Sequence, residues 1–150
     1  MRPVRAAVWA CFVLPVLGLA ALGLAMRSLA AEAPPTVSTP AQIQAGGALY
    51  AQKCTGCHSP TLGEGGHGPA LKGEYFRTTW GGQSARKLYG MVISTMPADN
   101  PGSLSPADAL ALVAFILNSN GFPAGGAALG EPADLQDVMI GADGSQPSGL

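Results

Sequence analysis

The sequence predicts an all-α fold of about three to four short helices joined by long loops. Three observations carry this. Two segments open with a hydroxyl residue followed by proline, Thr39-Pro40 and Ser105-Pro106, the pairing that suits the start of a helix. Apolar residues recur at helical spacing after those starts and again after Ser84. No alternation of apolar and polar residues marks a strand, and no internal repeat is present.

The elements follow in order. Arg2 and Arg5 precede an uncharged apolar run from Ala6 to Met26, and small residues stand at Ser28 and Ala30. This is the layout of a secretory signal, with cleavage after Ala30. The alternative is a retained anchor, because the run approaches the roughly 20 residues that span a bilayer. Both readings put the body of the chain outside the cytoplasm, and Cys11 falls within the run. Residues 31–40 form a Pro- and Ser/Thr-rich linker. The first helix is expected from Ala41 to Gln52. Gly46, Tyr50 and Cys54 recur every four residues and share one face, where a glycine lets another helix approach closely.

Residues 59–83 are rich in Gly, Pro and Thr and show no helical pattern. A loop of that length in a small domain is expected to wrap something functional. Ser84 is read as the cap of a second helix with Leu88, Met91, Val92 and Thr95 on one face. "PADNPGS" breaks the chain. The last helix has the strongest signals: Ser105 as cap, Pro106 in the first turn, Asp108 near the positive end and Gly121 past the stop. Leu110, Val113, Ala114 and Leu117 make its inner stripe. One domain therefore spans residues 41–124, and residues 125–150 read as a surface-bound or mobile tail.

The formal net charge is −1, but the three arginines of the first thirty residues account for much of the positive charge. The remainder holds five basic and nine acidic residues, a net of about −4. A mildly acidic body without a basic stripe excludes nucleic acid as a partner. Three modest helices with long loops also bury little apolar surface, so a flat cofactor at the centre is expected to complete the core.

"YAQKCTGCHSP", residues 50–60, gathers Cys54, Cys57 and His58 into five positions. A disulfide across a two-residue gap would remove little chain entropy. Zinc would need a second pair of ligands, and none follows. A thioredoxin-type dithiol would sit beside a βαβ pattern, which is missing. C-x-x-C-H is the attachment signature of a c-type haem. Two thiols three positions apart lie on one side of a helical turn and reach neighbouring vinyl groups, and His58 falls beneath the iron. For the sixth ligand the sequence offers His67, Met91, Met96 and Met139. Met96 stands at a helix end before a proline, in "STMPAD", and is favoured. Met91 reads as core, Met139 lies in the tail, and His67 is the competitor, nine residues from His58.

From about Thr39 to Phe122 the chain resembles a class I monohaem cytochrome c, with "GALYAQKCTGCH", "GPAL", "STMPAD" and a final amphipathic helix in that family's order. The resemblance implies the cytochrome c fold around one covalent haem c, with His58 and Met96 as iron ligands. It also implies that Gly46 and Tyr50 lie where the first helix crosses the last. Pro69 would accept the hydrogen bond of the haem histidine through its carbonyl, and Leu71 would line the haem. Trp80 would stand near the propionates or serve as an ordinary core aromatic. "STMPADNPGSLS" and "LNSNGFPAG" are further similar to the cytochrome portions of periplasmic quinoprotein dehydrogenases.

The function expected is outer-sphere electron transfer in the periplasm, by a protein that is soluble or tethered to the outer face of the inner membrane. The expected partners are redox proteins: a dehydrogenase as donor, and an oxidase or another cytochrome as acceptor. No catalytic constellation is found, and Glu64 and Glu74 read as solvated loop charges beside a lone Arg77. Two alternatives stay open. One is a haem-based sensor in which a small molecule displaces a weakly held Met96. The other is a cytochrome subunit fixed within an oxidoreductase complex.

Overall fold

A computed structural model of the protein describes residues 37–63, 66–130 and 134–141. The apolar run at 6–26, Cys11, the cleavage point after Ala30, most of the 31–40 linker and Glu64 lie outside the described residues. Among the described residues the fold is helical and contains no strand, and no helix is long and apolar enough to cross a membrane. The elements are α1 (Pro40–Lys53), α2 (Thr55–His58), α3 (Glu74–Trp80), α4 (Ala85–Thr95), α5 (Pro106–Ser119) and a short 3-10 turn at Asp134–Gln136.

Local chemistry sets the ends of the two longest helices. The Thr39 side chain accepts a hydrogen bond from the Gln42 amide at 3.1 Å, and the Ser105 side chain accepts one from Asp108 at 3.1 Å. Each cap satisfies one amide that the first turn leaves without a helical partner. α5 exceeds the expected stripe. Leu110, Val113, Ala114 and Leu117 are buried, and so are Ala109, Ala111, Leu112 and Ile116. A helix apolar on nearly every side must be covered on every side. α1 and α4 both pack on α5, and Leu112 and Ile116 face the cavity described below.

The α1–α5 crossing depends on Gly46. A Cβ at this position would lie 1.9 Å from the Ala111 carbonyl oxygen and 2.8 Å from the Phe115 Cβ. One turn later the Tyr50 ring tilts against Phe115, with ring centroids 5.3 Å apart. The two residues expected at a helix crossing therefore make it.

Three local expectations are corrected. Residues 74–80 are helical, although the whole stretch 59–83 reads as loop in sequence; Phe76 and Trp80, one turn apart, are both buried. Ser84 holds the capping position of α4, but its side chain makes no capping bond. The amide of Ala85 instead donates to the carbonyl of Val138 at 2.7 Å. The buried face of α4 is Ala85, Leu88, Tyr89 and Val92, whereas Met91 and Thr95 are exposed.

The segment after Gly125 is built into the fold as far as it is described. Leu129, Leu135 and Ile140 are buried in the core. Gln42 grips Leu129 through both backbone groups, at 2.9 and 2.8 Å. Ile140 exchanges hydrogen bonds with Gly82 and Gln83, and an isolated bridge pairs Ser84 with Met139. This strap takes the place of the missing side-chain cap on α4.

Candidate haem site

The chain leaves α1 at Cys54, whose amide still donates to the Tyr50 carbonyl at 2.9 Å. α2 then makes a single turn, in which the amides of Cys57 and His58 both donate to the Cys54 carbonyl. That turn places Cys54 and Cys57 on one wall of a cavity of about 740 Å³. The thiols of both cysteines are free. Burial pushes the Cys54 thiol up from its ordinary value; Lys53 opposes this and Cys57 adds to it.

His58 is buried and lines the same cavity. Its Nδ1 lies 2.8 Å from the Pro69 carbonyl oxygen. A carbonyl only accepts, so Nδ1 carries the proton and Nε2 keeps the free lone pair. Glycines let the returning chain lie close to the attachment turn. The Gly68 amide donates to the Cys57 carbonyl at 2.8 Å. A Cβ on Gly66 would lie 1.9 Å from the Cys57 carbonyl oxygen, and one on Gly68 would lie 2.9 Å from the His58 ring. Sequence reasoning missed a role for either glycine, because the need for them arises from contacts with residues nine and ten positions earlier, Cys57 and His58.

The remaining predicted residues converge on the same space. Leu71 and Trp80 line the cavity, and Trp80 is buried. Met96 lines it from another element. Its amide closes the last turn of α4 onto Val92, and its own backbone is extended (φ −114°, ψ 150°), so the chain leaves the helix at this residue. The peptide between Met96 and Pro97 is cis. Leu88, Val92, Leu112 and Ile116 supply apolar wall.

Of the rival ligands, Met91 and His67 also line the cavity and both are exposed. Met91 is 46% exposed, which corrects its reading as a core residue. Met139 is exposed in the strap, outside the cavity lining. Glu74 and Arg77 pair with each other on the surface. Among the described residues no group of three or more His, Cys, Asp or Glu could hold a metal ion.

The donor set fits a covalent haem. Two free thiols stand on one turn, an imidazole with a free Nε2 lone pair follows, and a thioether lies elsewhere in an apolar cavity whose size falls in the ordinary range for cofactor sites.

Comparisons with known proteins agree. A family described as cytochrome c oxidase, cbb3-type, subunit III, matches residues 41–116. A solved chain of the sulfane dehydrogenase SoxCD from Paracoccus pantotrophus is similar over 84% of this chain and 72% of its own length, with 25% identity and a TM-score of 0.56. A search among curated proteins finds no significant match. The family implies a covalently bound haem and an electron carrier rather than an enzyme. With half of its length matched and the attachment turn in place, the chain belongs to this c-type cytochrome family.

Proposed function

We propose that the chain carries one electron at a time between redox proteins, using a single haem held by thioethers to Cys54 and Cys57 with His58 and Met96 as axial ligands. What supports this most is one arrangement: Cys54, Cys57 and His58, from the turn after α1, and Met96, from the end of α4, line the same cavity. The haem, when bound, supplies the ferric–ferrous couple.

The chain's own residues do the rest. The Nδ1–H of His58 donates to Pro69, which fixes the ring and raises the basicity of Nε2. Met96 offers a soft, neutral thioether, which favours the reduced state and raises the potential. Leu71, Leu88, Val92, Leu112 and Ile116 keep water from the centre. A dry, rigid pocket changes little between oxidation states, so the reorganisation that slows electron transfer stays small.

The likeness to a dehydrogenase chain and to an oxidase-subunit family supports a dehydrogenase as donor and an oxidase or second cytochrome as acceptor. The apolar run at 6–26 supports export to the periplasm, with or without a membrane tether. The family's description as a subunit also favours a second reading, a cytochrome fixed within an oxidoreductase complex.

Denaturation followed by extraction with acidic organic solvent tests the attachment. One haem per chain is expected to stay with the protein; haem that leaves with the solvent contradicts the reading.

A further inference from the structure

We propose that the Tyr50 hydroxyl is a positioning group for the axial histidine: it clamps the backbone of His58 and Ser59 and thereby holds the His58 ring on Pro69. The inference rests on the ligand role proposed for His58.

The geometry is local and dense. The Tyr50 Oη lies 3.0 Å from the His58 carbonyl oxygen and 2.6 Å from that of Ser59. A hydroxyl has one proton, so two carbonyls share a single donor. Tyr50 is only 2% exposed, and water cannot readily replace that donor. Removing the donor would leave the buried His58 carbonyl without this partner, a net cost to the folded state.

The chain at this point has a reason to need a clamp. Ser59 has φ 66° and Leu62 has φ 60°, left-handed values in residues other than glycine. Such values are unfavourable outside glycine and persist only where the surroundings impose them. Both fall within four residues after His58. The reversal they make returns the chain so that Gly68 reaches the Cys57 carbonyl and Pro69 reaches His58 Nδ1. The Ser59 carbonyl also accepts from Leu62 at 3.3 Å, and Leu62 in turn accepts from Leu71 at 2.7 Å. Tyr50 thus ties the strained turn to α1, an element fixed independently by its crossing with α5. Packing at that crossing needs only the aromatic ring. The hydroxyl serves His58.

Tyr50→Phe separates the two roles, because it keeps the ring against Phe115 and removes only the donor. Phe115→Leu is the control, since it disturbs the crossing and leaves the hydroxyl. The holoprotein is read by its midpoint potential, by the paramagnetically shifted NMR lines of the His58 ring, and by hydrogen exchange of the Cys57, His58 and Gly68 amides. Tyr50→Phe is expected to shift the His58 lines and speed exchange at Gly68. It should also move the potential upward, because a weaker Nδ1–Pro69 bond leaves a less basic ligand. Phe115→Leu is expected to lower stability while leaving the potential and the His58 lines near wild type. The proposal is overturned if Tyr50→Phe changes stability alone, or if Phe115→Leu moves the same lines as far. Wild-type spectra without a histidine-bound iron would overturn the ligand reading instead, a result distinct from both.

Discussion

Tyr50 is the residue at which packing, hydrogen bonding and the haem site meet. Burial raises its phenol to about 12 from an ordinary value of 10, with a smaller contribution from Cys54. The raised value means that the folded state keeps the proton where the unfolded chain loses it. The stabilising contribution is therefore whole below pH 10 and is lost as pH rises from 10 toward 12. Denaturant midpoints measured across that window should fall more steeply for the wild type than for Tyr50→Phe. Equal slopes would show that Tyr50 does not cause the loss. Much of the site was legible at this scale. Cys54, Cys57 and His58, singled out by spacing, and Met96, singled out by its place before a proline at a helix end, all line the cavity. Gly66 and Gly68 carry no such signal, because their requirement comes from the Cys57 carbonyl and the His58 ring. Met91 misled for a different reason. Helical spacing identifies a face but not its bearing, and here the buried face is rotated toward Tyr89.

At the scale of elements, α1 packs on α5 and leads directly into the attachment turn of α2. Gly46→Ala tests the tightness of the α1–α5 crossing. The substitution gains roughly 1 kcal/mol of helix propensity. It also drives a methyl group into the Ala111 backbone, which cannot rotate away. Overpacking of this kind costs about 3 kcal/mol. Chemical denaturation should show a net loss of roughly 2 kcal/mol; an unchanged or raised midpoint would contradict the close approach. Helix starts with their own chemistry, at Thr39-Pro40 and Ser105-Pro106, were legible because a cap is a local device. α3 was not, since seven residues give only one repeat of the apolar spacing, Phe76 to Trp80. The C-terminal strap was also hidden. Leu129, Leu135 and Ile140 are buried five or six positions apart, a spacing of neither helix nor strand, and the capping of α4 by Val138 joins it to Ala85, 53 residues earlier in sequence.

For the whole molecule, the helices pack around a buried apolar core, and an apolar cavity opens along one side of it. Leu88, Val92, Leu112 and Ile116 line the cavity, so a bound haem would pack its apolar faces against that part of the core. Cys54→Ala with Cys57→Ala should therefore leave a largely unfolded chain, and a cooperative thermal transition in that haem-free variant would argue against a core completed by its cofactor. The same cavity decides between a carrier and a small-ligand sensor. A carrier needs Met96 to close the iron, whereas a sensor needs it to yield. Axial ligands tune haem potentials over roughly 0.8 V, so the identity of this one governs what the protein can exchange electrons with. The most direct measurement is the ferrous visible spectrum with and without carbon monoxide, taken on the wild type and on Met96→Ala. The wild-type spectrum should not change on adding the gas, and Met96→Ala should bind it and show a lowered potential. Carbon monoxide binding to the wild type, or a Met96→Ala variant that still excludes it, would contradict a closed His58–Met96 electron carrier.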